Sequence, residues 1–376
     1  MHADKPLTQR ALTPEEHTHS QFDTIDVLTI SDLHCSYGNT KVVSSANISL
    51  NSGEIGCLLG PSGCGKTTIL RAIAGFQGID QGDIKVDGHL IANSLKQSPP
   101  EKRNVGMVFQ DYALFPHLTV LENVMFGLNK KQASSEQRAL DMLETVQLEQ
   151  LANRYPHELS GGQQQRIALA RALAPKPKLI LLDEPFSNLD TELRRTLSLE
   201  VRDILKAQNT SAILVTHDQE EAFTVADKIG IMMKGQIQQW GTPYDLYHEP
   251  LNRDIANFVG KGSFLPASIE STHSITCELG QASSAQALLH PIGAEVDVLV
   301  RPEDIISDKD SSLIAKITEK HFLGASCYYE LELPSKSQVS TVLSSHLNFE
   351  MGDHIGIRFS ADHLITFDKK ADGIQR

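Results

Sequence analysis

The stretch Gly60-Pro61-Ser62-Gly63-Cys64-Gly65-Lys66-Thr67-Thr68 has the residue types and spacing that hold phosphate. It fits the pattern G-x-x-x-x-G-K-[ST]. Backbone N–H groups of such a loop converge on phosphate oxygens, and the dipole of the helix that follows adds positive potential. Glycine is needed because a Cβ would block close approach of the backbone. Lys66 is placed to reach β- and γ-phosphates, and the Thr67 hydroxyl to ligate Mg²⁺. Cys64 is either a thiol that alkylation could use to block the loop or a small residue that fits there.

A second group of polar residues follows apolar runs. Residues 179–182 are continuously apolar and end in Asp183-Glu184. Adjacent carboxylates at the end of a buried strand are costly unless compensated, and a magnesium ion would do so. Residues 212–215 form a similar run before His217, and residues 104–109 lead into Gln110. With the phosphate loop, this gives four strands ending at Leu59, Phe109, Leu182 and Val215. In a parallel α/β sheet such ends line one edge, where ligands bind. The loop, Gln110, Asp183, Glu184 and His217 should therefore converge. Ser160-Gly161-Gly162-Gln163 opens a helix and offers free N–H groups, a second anion site. Tyr37 either stacks on a base or is a half-buried strand tyrosine.

The elements that must position these groups are legible in outline. Residues 55–59 read as the strand entering the loop, and 67–74 as a helix stopped by Gly75. Strands are expected at 27–30, 34–37, 42–50 and 84–86, with a turn at Gly38-Asn39. Helices are expected at 120–128, 135–146, 220–226 and 254–259, and a hairpin at 228–238 around Lys234-Gly235. Gly260-Lys261-Gly262-Ser263 marks a domain boundary. Beyond it, short β runs at 295–300, 326–333 and 355–359 suggest a small β-barrel-like domain. The organisation expected is a disordered leader over 1–24, an α/β phosphate-loop domain over 25–259, and a β-rich domain over 260–376.

Composition narrows the function classes. A chain of 376 residues exceeds one typical core. The formal net charge of −13 disfavours nucleic acid or an anionic membrane surface as the main partner. The five cysteines are odd in number and none are spaced C-x-x-C, so neither a disulfide framework nor a zinc site is indicated. No apolar run approaches bilayer-spanning length, and the N-terminus lacks the apolar core of a signal peptide. The chain is expected to stay in the cytoplasm and to work at a membrane only through a partner.

From Tyr37 to about Gly260 the chain resembles the ATP-binding subunits of ABC transporters. Gly60 to Thr67 is similar to the family's Walker A loop, and Leu159-Ser160-Gly161-Gly162-Gln163 to its signature. Asp183 and Glu184 resemble Walker B and the catalytic glutamate. Ser187-Asn188-Leu189-Asp190 resembles the D-loop, Gln110 the Q-loop, His217 the switch histidine and Tyr37 the adenine-stacking aromatic.

The resemblance implies ATP and Mg²⁺ as cofactors, with Thr67, Gln110 and Asp183 at the metal. It implies a head-to-tail dimer of two copies, each ATP lying between one copy's phosphate loop and the other's Ser160 element, with Asp190 nearby. It also implies membrane permease subunits, an indirect periplasmic binding protein, and a peripheral place on the cytoplasmic face of the inner membrane. The β-rich extension, with Val300-Arg301-Pro302-Glu303, resembles the OB-like TOBE regulatory domain of importers for sugars, polyamines, sulfate and ferric iron. Its expected role is dimer contact and regulation. Within that subgroup the resemblance is to the ferric iron importer ATPases (the FbpC type), carried by residues 54–75, 99–117, 154–189 and 260–266. The expectation is an ATPase energising ferric iron import; the alternatives are the same engine serving polyamine, sugar or sulfate, or a soluble ABC ATPase outside transport.

Overall fold

The computed structural model describes residues 26–128, 134–361 and 363–369. The expected leader, residues 1–24, lies outside them. Strands β1 (Asp26–Tyr37) and β2 (Thr40–Asn51) pair antiparallel around the Gly38-Asn39 turn. Two separate runs were expected within β1. The chain instead passes through as one strand, with register slips on either side of Leu33 and Asp32 at φ 47°. A bulge of this kind absorbs the polar Ser31-Asp32 step without ending the ladder.

β3 (Ile55–Leu59) is buried along its whole length and feeds the phosphate loop, which opens α1 (Lys66–Ala74). Gly75 ends α1 at φ 93°, where its N–H caps the Arg71 carbonyl. β4 (Gln81–Val86) and β5 (His89–Asn93) complete a four-stranded antiparallel sheet in the order β2-β1-β4-β5. β6 (Val105–Val108) is followed by α2 (Val120–Met125), α3 (Ser134–Thr145) and α4 (Gly161–Leu173). Next come β7 (Leu179–Asp183), α5 (Thr191–Ala207), β8 (Ser211–Thr216), α6 (Gln219–Val225), β9 (Lys228–Met233) and β10 (Gln236–Gly241).

The second sheet runs β10-β9-β3-β8-β7-β6, parallel from β9 to β6, with β10 antiparallel at one edge. Every residue of β3, β7 and β8 is buried, as continuous apolar runs in a covered parallel sheet require. α1 packs between the two sheets, touching β7 and β8 on one side and β1 and β2 on the other. Its Ile69, Leu70 and Ile73 are fully buried. Each such side chain contributes roughly 1.5–3 kcal/mol relative to exposure, so the helix that carries the phosphate loop is firmly seated.

α7 (Pro243–His248) and α8 (Arg253–Val259) lead into a second unit with its own core. One sheet holds β11 (Ser263–Ser271), β12 (Ser274–Cys277), β13 (Gly280–Ser283) and β14 (Glu295–Val300). The other holds β15 (Ile305–Ser307), β16 (Ile314–Phe322), β17 (Ser326–Glu332), β18 (Gln338–Ser344) and β19 (His354–Phe359). β20 (Ile365–Asp368) returns to the first sheet beside β14. The orders are β13-β12-β11-β14-β20 and β15-β19-β16-β17-β18, antiparallel throughout. Leu265, Val298, Ile317, Tyr329 and Ile357 meet between the two sheets.

Arg301 clasps the two units. Its buried guanidinium donates to the carbonyls of Ala256 at 3.1 Å, Gly260 at 2.8 Å and Lys261 at 3.1 Å, and lies 4.4 Å from the centre of the Tyr247 ring.

Candidate active site

The ends of β3, β8, β7 and β6 stand side by side in that order, so four loops share one sheet edge. The observed strand ends are Leu59, Thr216, Asp183 and Val108, within one residue of those expected.

The phosphate loop is shaped by what its glycines avoid. A Cβ on Gly60 would lie 2.1 Å from the Met232 carbonyl oxygen of β9. Gly63, at φ 79°, faces open space, leaving its backbone free to approach a ligand. Lys66 is buried and donates its Nζ to the carbonyls of Gly60 at 2.7 Å and Pro61 at 2.9 Å. The ammonium is thus folded back over the loop that must receive negative charge. A cavity of about 170 Å³ is lined by Val42, Ser62, Gly63, Gly65, Lys66, Thr67, Thr68 and Glu184. Cys64 is buried with its Sγ 3.9 Å from the Lys66 Nζ, and burial pushes its thiol up despite that ammonium. Its packing beneath Gly60 fits a small residue that fills the loop's underside.

The Thr67 Oγ1 donates to Asp183 Oδ1 at 3.0 Å across the loop. Burial pushes the Asp183 carboxyl above its ordinary value, partly offset by the Thr67 hydroxyl. A hydroxyl and a carboxylate, both hard oxygen donors at the mouth of a phosphate loop, fit Mg²⁺ rather than a softer metal. Glu184 has φ 44°, in the left-handed region that a non-glycine residue enters at a cost of roughly 1–3 kcal/mol. Its N–H donates to the Val215 carbonyl at 3.0 Å, which anchors the strained backbone to β8. The strain turns the carboxylate out of the sheet towards the cavity. There Glu184 Oε2 lies 3.4 Å from His217 Nδ1.

The remaining predicted residues are distributed around this centre. The exposed Gln110 does not line the phosphate cavity; its Nε2 donates to Ser187 Oγ at 3.3 Å, and Ser187 Oγ donates to the Glu184 carbonyl at 2.9 Å. Tyr37 is 46% exposed and lines a separate cavity of about 360 Å³ with Arg71, Phe76, Gln77 and Phe109. Asp190 caps α5, accepting from the Leu193 N–H at 3.0 Å.

Ser160, Gly161, Gly162 and Gln163 stand apart from the phosphate cavity of their own chain. Ser160 and Gln163 form a reciprocal cap: the Ser160 N–H donates to Gln163 Oε1 at 3.0 Å, and the Gln163 N–H to Ser160 Oγ at 3.4 Å. Gly161 and Gly162 then hold the first-turn N–H groups for which a helix provides no internal acceptor.

Sequence reasoning missed Arg71 and Arg194. Arg71 joins the site only through folding. Arg194 lies one turn past Asp190 and carried no motif.

Comparison with known proteins places this arrangement. The family described as "ABC transporter" matches residues 43–187, and "TOBE domain" matches residues 298–367. The chain belongs to the ATP-binding subunits of ABC transporters. It is the ATPase subunit of an ABC importer, with a P-loop domain followed by a TOBE domain. The family uses ATP with Mg²⁺ and works in pairs with membrane permease subunits.

Relatives narrow the class. The "Spermidine/putrescine import ATP-binding protein PotA" of Aggregatibacter actinomycetemcomitans is 37% identical over 351 residues, 88% of this chain and 93% of its own length. The protein of that name from Vibrio vulnificus (strain YJ016) is 39% identical over 326 residues, 83% of this chain and 85% of its own. That of Pseudomonas fluorescens is 40% identical over 336 residues, covering 84% and 89%. The ferric iron expectation draws no support from these relatives, whose names give spermidine and putrescine. Among the described residues no helix is long and apolar enough to cross a membrane.

Proposed function

We propose that this chain drives import of a polyamine by hydrolysing ATP, with Glu184 as the general base or orienter of the attacking water. The 3.4 Å approach of His217 to Glu184 at the mouth of the phosphate cavity carries the catalytic assignment. The names of relatives that align over most of both chains support the cargo class.

ATP with Mg²⁺, when bound, supplies a γ-phosphoryl group whose developing charge the metal helps to offset. Lys66 exchanges its two loop carbonyls for phosphate oxygens and offsets that charge. Thr67 and Asp183 would hold Mg²⁺ through their oxygens, and Gln110, bonded to Ser187, would couple the site to the permease. His217 contacts the γ-phosphate and keeps Glu184 aimed. Tyr37 stacks on adenine from the neighbouring cavity. The Ser160-Gly161-Gly162-Gln163 turn, remote from its own cavity, covers the phosphates held by a second copy, with Asp190 at the same junction. The unit works on the cytoplasmic face of the inner membrane, and a periplasmic binding protein delivers the cargo.

Uptake of radiolabelled putrescine, spermidine and ferric iron would be measured in cells lacking this chain. They would be complemented with the native sequence or with Glu184→Gln. Polyamine uptake restored by the native sequence alone is the expected result. Restored iron uptake without polyamine uptake would overturn the cargo while leaving the ATPase reading intact.

A further inference from the structure

Two loops meet at the γ-phosphate end of the site: the one after β7, carrying Glu184 to Asp190, and the one after β8, carrying His217. They touch at Glu184 and His217. They are joined a second time, away from the cavity, by Arg194 on the first turns of α5. Its Nη2 donates to the Leu189 carbonyl at 3.0 Å and its Nη1 to Asp218 Oδ2 at 3.0 Å. Its Nε lies 3.5 Å from Oε1 of the buried Glu221, an ion-pair contact without hydrogen-bond geometry.

The groups Arg194 grips are themselves fixed. Asp218 caps α6 by accepting from the Glu221 N–H at 3.2 Å, and its own N–H donates to Thr216 Oγ1 at 3.0 Å. The Thr216 hydroxyl donates in turn to Glu221. On the other side the Leu189 N–H donates to the Phe186 carbonyl at 3.2 Å. A closed circuit results, running by backbone from Glu184 to Phe186, by hydrogen bonds through Leu189 and Arg194 to Asp218, and by backbone to His217, which faces Glu184 again. The half-exposed His217 has one side-chain contact in this circuit, to Glu184. Its backbone neighbour Asp218 is what Arg194 holds. A planar, forked guanidinium can hold a carbonyl and a carboxylate at once, which an ammonium on a flexible stem does poorly.

We propose that Arg194 is a positioning residue for ATP hydrolysis: by tying the Leu189 carbonyl to Asp218 it sets His217 against Glu184. It does not line the phosphate cavity and acts through the two loops. The inference rests on the reading that Glu184 and His217 serve hydrolysis.

The test compares Arg194→Ala, Arg194→Lys, Asp218→Asn and the Arg194→Ala/Asp218→Asn double variant in the full chain, with Glu184→Gln as control. Asparagine retains a capping oxygen for α6. Arg194→Ala is expected to lower kcat about 10- to 100-fold while KM for ATP stays within about twofold, as for a misaimed group that does not bind substrate. Arg194→Lys should recover part of the kcat. The double variant should be no worse than Arg194→Ala, because both changes break one link. Without nucleotide, amide hydrogen exchange at Leu189 and Asp218 should quicken in Arg194→Ala and not in Glu184→Gln.

Unchanged kcat and exchange would overturn the proposal. So would a KM rise at constant kcat, or a kcat loss that merely follows a fall in Tm. If Glu184→Gln keeps near-normal turnover, the reading of Glu184 fails first and takes the proposal with it. If Glu184→Gln is inactive and Arg194→Ala is normal, the positioning role alone fails.

Discussion

His217 Nδ1 lies 3.4 Å from Glu184 Oε2, although the two side chains leave different strands and stand 33 positions apart in the chain. The parallel pairing of β7 with β8 makes them neighbours, and Glu184's positive φ turns its carboxylate into the shared space. Replacing Glu184 by glutamine keeps size and removes the basic carboxylate. Turnover is expected to fall about 100-fold or more while ATP binding is retained, the loss typical of a removed general base. Size-exclusion chromatography with ATP and Mg²⁺ should then show an accumulating dimer. Steady-state hydrolysis near the native rate would rule out Glu184 as base.

Gly60 makes the loop possible by lacking a side chain, and its replacement tests the fold beneath the site. An alanine Cβ would lie 2.1 Å from the Met232 carbonyl, and backbone cannot swing aside as a side chain can. Gly60→Ala is expected to cost about 3 kcal/mol, in the range of severe overpacking. Urea denaturation would measure it. A midpoint equal to that of the native chain would show that β9 yields there.

The phosphate loop, both carboxylates and the histidine were legible because each is local: a run of residue types after an apolar stretch. Their convergence was legible too, because parallel strands put all their carboxyl ends on one edge. The links made by Arg194, Asp227 and Arg301 were not, since each reaches beyond its own element: Arg194 donates to Asp218, 24 residues away, Asp227 accepts from Ile55, 172 away, and Arg301 donates to Ala256, 45 away. Strands β12 and β13 are among those not read from the sequence: at four residues each, Ser274–Cys277 and Gly280–Ser283 are too short to show a period. The ferric iron reading leaned on segments around the shared motifs. Most of those segments form the engine, and an ATPase that hands energy to a permease carries little mark of the cargo.

Asp227 gives a pH-dependent test of how β3 is held. Its Oδ2 accepts from the Ile55 N–H at 2.7 Å, and Lys206 and Arg202 of α5 pair with the same carboxylate. Burial pushes the carboxyl up, but the Lys206 ammonium, the Ile55 N–H and Arg202 outweigh it and hold the group below its ordinary 3.8. A carboxyl depressed by folding lends stability that is full above the unfolded value and is lost as pH falls through the folded one. Asp227→Asn should cost roughly 1–3 kcal/mol at pH 7, the worth of hydrogen bonds to a charged group. That deficit should stay constant down to about pH 5 and shrink below the ordinary carboxylate range. Urea midpoints of both proteins across pH 3 to 8 would show it; a deficit that grows on acidification would reverse the sign assigned here.

Arg301 tests whether the two units unfold together. It is 3% exposed, and it holds carbonyls of α8 and of the Gly260-Lys261 crossover while its guanidinium covers Tyr247. The ring's hydroxyl donates to Glu303 on the far side, so one residue connects α7, α8 and the start of the β-rich unit. Alanine would leave four carbonyls, that of Tyr247 among them, without this donor and a ring uncovered. Removing a buried cation so bonded costs on the order of 3 kcal/mol, and nearly all of that lies at the junction rather than in either core. Calorimetry of Arg301→Ala should therefore resolve two transitions where the native chain shows closer coupling. ATP with Mg²⁺ should raise only the transition of the P-loop unit, because a ligand stabilises the unit that binds it. A single transition in the variant, raised as a whole by nucleotide, would mean that the other junction contacts, among them Arg253 with Asp297 and Tyr244 with His363, suffice to join the units.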